Sequence, residues 1–221
     1  MDVSAPASAQ LVFFSGPMNS GKSTLALQTA HTQSAHDRHG LLFTSQDRAG
    51  RAEITSRVGL SREAREVDDS LDFWATVVAR LTSGGRVDFL VCDEAQFYAC
   101  AQIDQLARIV DELGVDVFCF GILTDFRSVL FPGSRRLVEL ADRVETMQVQ
   151  PLCWCGARGT MNARIREGRL VTQGEQVLIA DTEEDSAVAG LHYEVLCRKH
   201  FRLGMGRPVH APLGTQTLPF G

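Results

Sequence analysis

The pattern that most constrains this chain is an eight-residue segment, Gly16 to Ser23, which fits G-x-x-x-x-G-K-S. An apolar run, Leu11 to Ser15, precedes it, and a segment of helical composition, Lys22 to about His36, continues from it. Glycines at this spacing let successive N–H groups point inward, and the N-terminus of the helix adds partial positive charge. A strand, this loop and a helix in that order predict a phosphate-binding site. The alternative is a tight glycine turn that holds no ligand.

Charged residues on and beyond this loop indicate which chemistry it serves. Lys22 is predicted to reach the outer phosphates of a nucleotide, and Ser23 to place its hydroxyl on Mg²⁺, which prefers oxygen ligands. Such an ion needs an acidic outer shell, and Asp93, at the end of what we expect to be an adjacent strand, fits that need. Glu94 is predicted to lean to the other side of that strand, because side chains alternate, and to meet a substrate hydroxyl. The alternative is that Asp93 and Glu94 only solvate a strand end.

Apolar strands alternate with amphipathic helices over the first two thirds of the chain. Continuous apolar runs predict strands at residues 11–15, 41–44, 87–92 and 115–123. Helical spacing predicts two further helices, which end at Gly84 and Gly114. This order favours an α/β fold, in which a phosphate-binding parallel sheet carries helices on both faces and ligands bind at the carboxyl ends of the strands.

Two other stretches differ from this alternation. Residues 45–65 carry five arginines with little periodicity and are predicted to form an exposed, partly mobile loop. Residues 158–172 are predicted to form a hairpin that turns at Glu167 and Gly168. The regular alternation of strands and helices ends after Val149, which predicts a domain boundary there. We expect a flexible N-terminus (1–10), a nucleotide-binding α/β domain (11–150), a small metal-binding domain (151–202) and a flexible C-terminal tail (203–221).

Composition excludes several broad classes. With 44% hydrophobic and 22% charged residues the chain is typical of a globular protein, and no apolar run approaches the roughly 20 residues of a membrane span. The net charge of −5 argues against a general nucleic-acid binder, which would carry a basic surface. The first ten residues lack a secretory pattern, so we expect a cytoplasmic protein with no membrane or nucleic-acid partner. Of the 22 basic residues, only Lys22 and Lys199 are lysines.

The six cysteines are better interpreted as core residues and metal ligands than as disulfides, because cytoplasmic thiols stay reduced. A C-x-C pair, Cys153 and Cys155, and a C-x-x-H pair, Cys197 and His200, supply four ligands that suit tetrahedral zinc. No open coordination position is expected, so the zinc would be structural. The alternative is a disulfide between Cys153 and Cys155. The other cysteines are predicted to be buried thiols: Cys92, Cys100 and Cys119.

The order of these motifs resembles the thymidine kinases of the zinc-lasso type, from Leu11 to about Phe201. The segments that carry the resemblance are Gly16–Ser23, Asp47-Arg48, Ser56–Ser61, Asp93–Phe97, Thr124–Arg127 with Phe131, Gly133-Ser134, Cys153–Gly156, Gly174–Ile179, Tyr193 and Cys197–His200. The phosphate loop is shared by many functions, whereas D-E-x-Q-F, T-D-F-R and C-R-K-H together are specific to this family. The resemblance implies that residues 151–202 form a zinc-binding lasso domain.

The resemblance also implies a role for each matching residue. Glu94 would be the general base, with Lys22 and Arg48 neutralising the charge on the transferred phosphoryl group. The nucleotide would be bound by Gly16, Pro17, Met18, Asn19, Ser20, Gly21, Lys22, Ser23, Asp93 and Gln96. The thymine pocket would be formed by Met18, Phe97, Ile122, Phe126, Phe131, Val177, Leu178, Ile179 and Tyr193. The alternative for the three phenylalanines is a purely structural place in the core.

The implied activity is transfer of the γ-phosphate of ATP to the 5'-hydroxyl of thymidine, with Mg²⁺ and structural Zn²⁺. A homo-oligomer, commonly a tetramer, and inhibition by thymidine triphosphate are implied as well. Alternatives are a kinase for another deoxynucleoside and a zinc-ribbon module that binds nucleotide as a switch. The chain departs from the family pattern at Gln46, where an acidic residue is usual. It departs again after Ile179, where Ala180-Asp181 and a longer acidic insert to Leu191 replace a pair of glycines.

Overall fold

A computed structural model describes residues 8–45, 52–174 and 190–208 of the chain. Its strands are β1 (Leu11–Ser15), β2 (Gly40–Thr44), β3 (Glu53–Thr55), β4 (Ser61–Glu63), β5 (Arg65–Glu66), β6 (Phe89–Cys92), β7 (Asp116–Gly121), β8 (Arg143–Thr146), β9 (Met161–Arg166), β10 (Arg169–Leu170) and β11 (Leu191–Leu196). Its α-helices are α1 (Lys22–Ala35), α2 (Phe73–Thr82), α3 (Cys100–Leu113), α4 (Pro132–Leu140) and α5 (Arg198–Arg202), and a 3-10 turn covers Ala95–Phe97. Among these residues no helix is long and apolar enough to cross a membrane.

Six parallel strands form the main sheet, in the spatial order β5-β2-β6-β7-β1-β8. Side chains alternate between its faces, so in β6 Leu90 and Cys92 join the apolar cluster of α2 and α3, whereas Phe89 and Val91 join that of α1. All four side chains are fully buried. The prediction of an α/β fold with helices on both faces of a parallel sheet is therefore confirmed.

Local sequence signals place most element ends correctly. The strand predicted at residues 11–15 is β1, and the helix predicted from Lys22 is α1. Helix α2 begins after Asp72, whose carboxylate accepts a hydrogen bond from the backbone N–H of Ala75 at 2.8 Å. Helix α3 ends at Gly114, whose left-handed backbone (φ 66°) suits a residue without a side chain.

The described part of residues 45–65 is mostly exposed, as predicted, but it is not an irregular loop. Strands β3 and β4 pair as a hairpin, and β5 extends the main sheet. These strands are two or three residues long and mostly charged, so they carry little periodic signal. The buried side chain of Ile54 attaches the hairpin to the cluster of α1. Neither α4 nor the edge strand β8 is predicted from the sequence, since β8 is largely exposed and has no apolar run.

A second sheet is antiparallel, in the order β10-β9-β11. The predicted hairpin is confirmed, because β9 and β10 are joined at Glu167 and Gly168, both of which have positive φ (49° and 75°). Ala163 and Ile165 of β9 belong to a small apolar cluster within this part of the chain. This sheet therefore has a core of its own, while the division into four domains stays a prediction.

The strand order bears directly on the predicted site. The strand that ends before Asp93, β6, is not adjacent to β1, because β7 lies between them and pairs with both. The expectation of an adjacent strand is therefore wrong. All three strands are parallel and end at one edge of the sheet, so the residues that follow β7 lie between the phosphate loop and the carboxylates.

Gly133, in the first turn of α4, lies against the backbone that follows β6. A Cβ at this position would be 2.7 Å from the carbonyl oxygen of Tyr98, 2.8 Å from that of Ala95 and 2.9 Å from that of Gln96. Because these oxygens belong to one short backbone turn, Gly133→Ala should lower the free energy of unfolding by about 1–3 kcal/mol. Chemical denaturation measures this change. Asp111→Ala, at an exposed helical position of α3, is the control, and an equal loss in both variants would contradict the explanation.

Candidate active site

The phosphate loop is curled by two residues with left-handed backbone, Asn19 (φ 63°) and Gly21 (φ 79°). Gly16 is required for a different reason, since a Cβ there would lie 2.5 Å from Ser20 Oγ and 2.7 Å from Met147 Cγ. Ser20 Oγ is itself buried and has no hydrogen-bond partner among the described residues. The loop therefore encloses a polar atom that a bound anion would satisfy.

Lys22 is buried in the first turn of α1. Its ammonium group donates to the carbonyl oxygen of Pro17 at 3.0 Å and, at 3.4 Å, to that of Gly16. Burial lowers the pKa of Lys22, because the charged form loses hydration, and the carboxylates of Glu94 and Asp93 oppose this shift. The loop thus holds a lysine whose hydrogen bonds to the backbone could be exchanged for bonds to phosphate oxygens.

Asp93 follows β6 and is 3% exposed. Burial, reinforced by the charge of Glu94, raises the pKa of Asp93 to about 7, while Ser23 and Lys22 act in the opposite direction. Its Oδ1 atom is buried without a hydrogen-bond partner in the described part of the chain. An unpartnered carboxylate oxygen close to a serine hydroxyl is a donor set that suits a hard cation. Ser23 and Asp93 therefore fit a magnesium ion.

Glu94 is oriented by its own backbone rather than by alternation along a strand. Strand β6 ends at Cys92, and Glu94 has left-handed backbone (φ 52°, ψ 35°), so the reason given for its direction from the sequence is wrong. Its Oε2 atom accepts a hydrogen bond of 2.6 Å from Gln96 Nε2. Glu94 is half-buried, so a ligand at the sheet edge can reach it.

Gln96 holds Glu94 in place from the middle of the site. Its Oε1 atom accepts a hydrogen bond from the backbone N–H of Ile122 at 3.1 Å, while its Nε2 atom donates to Glu94. The amide crosses β7 at Gly121, where a Cβ would lie 2.8 Å from Gln96 Oε1. Gln96 is 2% exposed, and its two partners follow different strands, Glu94 after β6 and Ile122 after β7. The amide is therefore fixed in place and orients the carboxylate of Glu94. Its contact with a nucleotide stays a prediction.

The segment after β7 is folded around the buried carboxylate of Asp125. Its Oδ1 atom accepts hydrogen bonds from the backbone N–H groups of Arg127 (2.8 Å) and Val129 (3.0 Å). Its Oδ2 atom pairs with the guanidinium of Arg127 at 2.7 Å. This turn directs Phe126, the residue between them, into the protein, where its ring is 2% exposed.

Apolar residues of the predicted thymine pocket gather at the same edge. The rings of Phe97 and Phe131 meet edge to face, with centroids 5.5 Å apart. Phe131 is buried, whereas Phe97, Met18 and Ile122 are half-buried and remain accessible at the edge. This arrangement offers flat apolar surface next to Glu94, which a base could use.

Asn162 of β9 connects the second sheet to the phosphate loop. Its Oδ1 atom accepts a hydrogen bond from the backbone N–H of Met18 at 2.8 Å, and its Nδ2 atom donates to the carbonyl oxygen of Thr124 at 3.0 Å. The side chain is 4% exposed. One buried amide therefore fixes the spacing between the loops that follow β1 and β7.

Arg164, two residues further along β9, lies on the same side of the strand and is 1% exposed. Its guanidinium is 3.8 Å from the centroid of the Phe126 ring. Its Nε and Nη2 atoms donate to the hydroxyl oxygen of Tyr193, at 3.0 Å and 2.6 Å. Since Tyr193 is the residue of β11 directly opposite Arg164, the second sheet places this tyrosine near Phe126.

Several predicted site residues lie outside the described residues: Arg48, Val177, Leu178 and Ile179. Gln46 and residues 181–189 of the acidic insert lie outside them as well. A cation that the sequence did not assign, Arg57, is found in the turn between β3 and β4, and its charge contributes to the lowered pKa of Lys22. The hairpin therefore brings positive charge toward the phosphate loop.

The four predicted metal ligands come together, with their ligand atoms all within 4.8 Å of one another: Cys153, Cys155, Cys197 and His200. His200 Nδ1 lies 3.4 Å from the sulfur of Cys153 and 3.5 Å from that of Cys197. The sulfurs of Cys155 and Cys197 are 3.9 Å apart. Tetrahedral zinc, with bonds of about 2.0–2.3 Å, separates its ligands by roughly 3.5–3.8 Å. The three sulfurs and one nitrogen therefore fit zinc. The three cysteines are free thiols, so the predicted alternative of a disulfide between Cys153 and Cys155 is not formed.

The remaining cysteines are only partly as predicted. Cys92 and Cys119 are buried in β6 and β7, but Cys100 is exposed at the start of α3, so that part of the prediction is wrong. Near the metal ligands, the ring of Trp154 stacks on that of His200, with centroids 4.1 Å apart and planes 23° from parallel. This stacking restricts the rotation of the imidazole that would bind the metal.

The sequence did not reveal the roles of Asn162 and Arg164. In an antiparallel strand, polar residues that alternate with Ala163 and Ile165 are normally assigned to the solvent side. Here that side is covered by the loops after β1 and β7, which come from distant parts of the chain. No local pattern carries this information.

Comparisons with known proteins agree with the motifs in this site. A family profile described as Thymidine kinase matches residues 9–201. A curated thymidine kinase of Cutibacterium acnes is 61% identical over 213 residues, which cover 96% of this chain and 97% of that protein. Curated thymidine kinases of Streptomyces avermitilis and Jannaschia sp. are 56% and 41% identical, and the matches cover 89% and 90% of this chain and 90% and 97% of those proteins.

Replacing Asn162 tests whether the second sheet supports the phosphate loop. Asn162→Ala leaves the partly buried N–H of Met18 and the carbonyl of Thr124 without these partners, so it should lower the free energy of unfolding by about 1–3 kcal/mol. It should also raise the KM for the nucleotide, because Met18 belongs to the loop. Arg166→Ala, at an exposed position of β9, is the control and should change neither quantity. An Asn162→Ala variant of normal stability and nucleotide affinity would contradict the supporting role.

Proposed function

Because the chain belongs to the thymidine kinase family, we propose that it transfers the γ-phosphate of ATP to the 5'-hydroxyl of thymidine, forming thymidine monophosphate and ADP. The resemblance stated from the sequence is confirmed by this membership. The observation that supports the reaction best is the meeting of Lys22, Asp93 and Glu94 at one sheet edge. A phosphoryl donor and a hydroxyl acceptor both require charged groups at that place.

The phosphate loop would bind the triphosphate through residues 16–23. Backbone N–H groups and the ammonium of Lys22 would surround the outer phosphates, and Ser20 Oγ would gain a partner. Ser23 and Asp93 would hold Mg²⁺, which when bound neutralises phosphate charge and keeps the oxygens in a fixed arrangement. Arg57, and Arg48 by resemblance, would add positive charge as the phosphoryl group moves.

Glu94 would act as the general base. An alcohol is a weak nucleophile at neutral pH, and a carboxylate within hydrogen-bond distance can orient it and accept its proton as the new O–P bond forms. The hydrogen bond from Gln96 leaves one carboxylate oxygen, Oε1, for this task. Most of the acceleration comes from alignment and charge, since the transferred group is loosely bonded to both oxygens.

The nucleoside would lie between the loops after β6 and β7 and the second sheet. Phe97, Phe126 and Phe131 would supply apolar surface for the base, with Tyr193 on the opposite side. By resemblance, backbone groups of residues 177–179 would recognise the edge of the pyrimidine. The relatives named thymidine kinase support thymidine over another deoxynucleoside as the acceptor. Incubating the protein and Mg·ATP with each deoxynucleoside separates these possibilities by the monophosphate formed.

Other properties are proposed on the resemblance. A tetramer is supported by exposed apolar side chains on α4 and the edge strand β8, where Val138 and Val144 are each 46% exposed. Thymidine triphosphate would inhibit, because it joins the base that fits the pocket to the phosphates that fit the loop. A cytoplasmic location is also proposed on the resemblance.

Replacing Glu94 by glutamine tests the base. Glu94→Gln keeps the size and one hydrogen-bonding oxygen but cannot accept a proton, so kcat should fall by about 10²–10⁴-fold. Binding of ATP and thymidine, measured by calorimetry, should change little. Glu112→Gln, at an exposed position of α3, is the control and should keep full activity. Near-normal turnover by Glu94→Gln would remove Glu94 from the proton transfer.

Metal analysis tests the zinc proposal. The wild-type protein should contain about one zinc per chain, since four ligands at these separations leave no open position. Cys155→Ser should lose the metal and lower the melting temperature, because a structural zinc ion stabilises the fold that binds it. Cys100→Ser, which replaces an exposed cysteine outside the cluster, should keep both. Full zinc content in Cys155→Ser would overturn the ligand assignment.

A further inference from the structure

The hydroxyl of Tyr193 has an unusual hydrogen-bond environment. Its oxygen receives two N–H groups from one side chain, Nε and Nη2 of Arg164. A phenol oxygen can accept hydrogen bonds and donate one, whereas a guanidinium can only donate. On the side that faces Arg164, the hydroxyl oxygen therefore accepts hydrogen bonds, and the hydroxyl proton has to point away from the guanidinium.

Among the described residues, the Tyr193 hydroxyl forms hydrogen bonds with Arg164 alone. No acceptor for its proton is found among these residues. Tyr193 is half-buried, and the guanidinium that binds its hydroxyl also packs on the Phe126 ring. A donor in a partly buried position is stabilised when an acceptor reaches it. The proton is thus available to a molecule that enters the pocket.

Arg164 is held so that it can impose this direction. Its guanidinium is packed on the Phe126 ring at 3.8 Å and over the Tyr193 ring at 5.3 Å. The backbone at Gly174 passes beside it, since a Cβ there would lie 3.5 Å from Arg164 Nη1. Planar stacking and two N–H bonds to one oxygen fix the orientation in a way that a lysine ammonium cannot reproduce.

We propose that Arg164 is a positioning residue that makes the Tyr193 hydroxyl an obligatory hydrogen-bond donor to an acceptor oxygen of the nucleoside. This inference rests on the proposed function, because the nucleoside is the molecule expected to contact Tyr193. It assigns nucleoside selectivity to a buried cation on the second sheet, which acts on the substrate through Tyr193.

Thymidine analogues that each alter one acceptor oxygen test the direction of the hydrogen bond. The set comprises 3'-deoxythymidine, carbocyclic thymidine, 2-thiothymidine and 4-thiothymidine. With the wild-type enzyme, one of them should bind about tenfold more weakly than thymidine, the effect of one lost hydrogen bond. In Tyr193→Phe that difference should disappear. If every analogue shows the same penalty in Tyr193→Phe as in the wild type, the tyrosine donates to none of these oxygens and the proposal is overturned.

Variants of Arg164 test the positioning role. Arg164→Lys and Tyr193→Phe should each raise the KM for thymidine about tenfold, with kcat within about twofold and the KM for ATP unchanged. The double variant should be little worse than either single variant, because the arginine acts through the hydroxyl. Arg166→Lys, the same substitution at an exposed position of β9, is the matched control and should behave as wild type.

Fully additive effects in the double variant would overturn the positioning role, as would an equal rise in the KM for ATP and for thymidine. Zinc content and melting temperature are measured for each variant. If Arg164→Lys does not fold, Tyr193→Phe with the analogue series decides the question by itself. Failure of the proposed function is distinguishable, since a wild-type enzyme that forms no thymidine monophosphate would contradict that function before any variant is compared.

Discussion

The buried ammonium group of Lys22 is the interaction on which the rest of the site depends. Removing a charge from water is costly unless other groups replace its hydration. Two loop carbonyls and the nearby carboxylates of Asp93 and Glu94 provide that replacement. The curled loop, the order of β1, β7 and β6, and the close approach of Gln96 at Gly121 all serve to bring these groups to one place.

The second sheet completes the site from the other side. Strand β9 is buried on both faces, with small and aliphatic residues toward its own core and two polar residues toward the main sheet. Asn162 joins the loops of the two nearest strands, while Arg164 joins an aromatic ring to a tyrosine. Since the predicted metal ligands lie before β9 and after β11, one short sheet connects their cluster to the rest of the site.

Much of this arrangement could be predicted from the sequence, because it depends on local patterns. Apolar runs identify buried strands, and G-x-x-x-x-G-K-S identifies the loop between the first strand and helix. The spacing of Cys153, Cys155, Cys197 and His200 predicted a cluster whose atoms do come together. The direction of Glu94 could not be predicted, since it results from left-handed backbone after the strand has ended.

Features that depend on distant contacts were missed. Short charged strands such as β3 and β4 form because Ile54 is covered by α1. The sequence of residues 53–63 contains no signal for this contact. Asn162 and Arg164 look solvent-exposed in the sequence, and only the loops that cover them make them internal. Polar residues that alternate with apolar ones are normally assigned to the solvent side of a strand, and the burial of Asn162 and Arg164 contradicts that assignment.

The scarcity of lysine has a practical consequence. The chain has two lysines, of which Lys22 is enclosed by the phosphate loop and Lys199 is exposed between two predicted metal ligands. Besides the amino terminus of the chain, a reagent that acylates amines therefore meets one accessible side chain. Coupling the protein to a surface or a fluorophore through lysine would attach it beside the four predicted metal ligands, and would leave the phosphate loop unmodified.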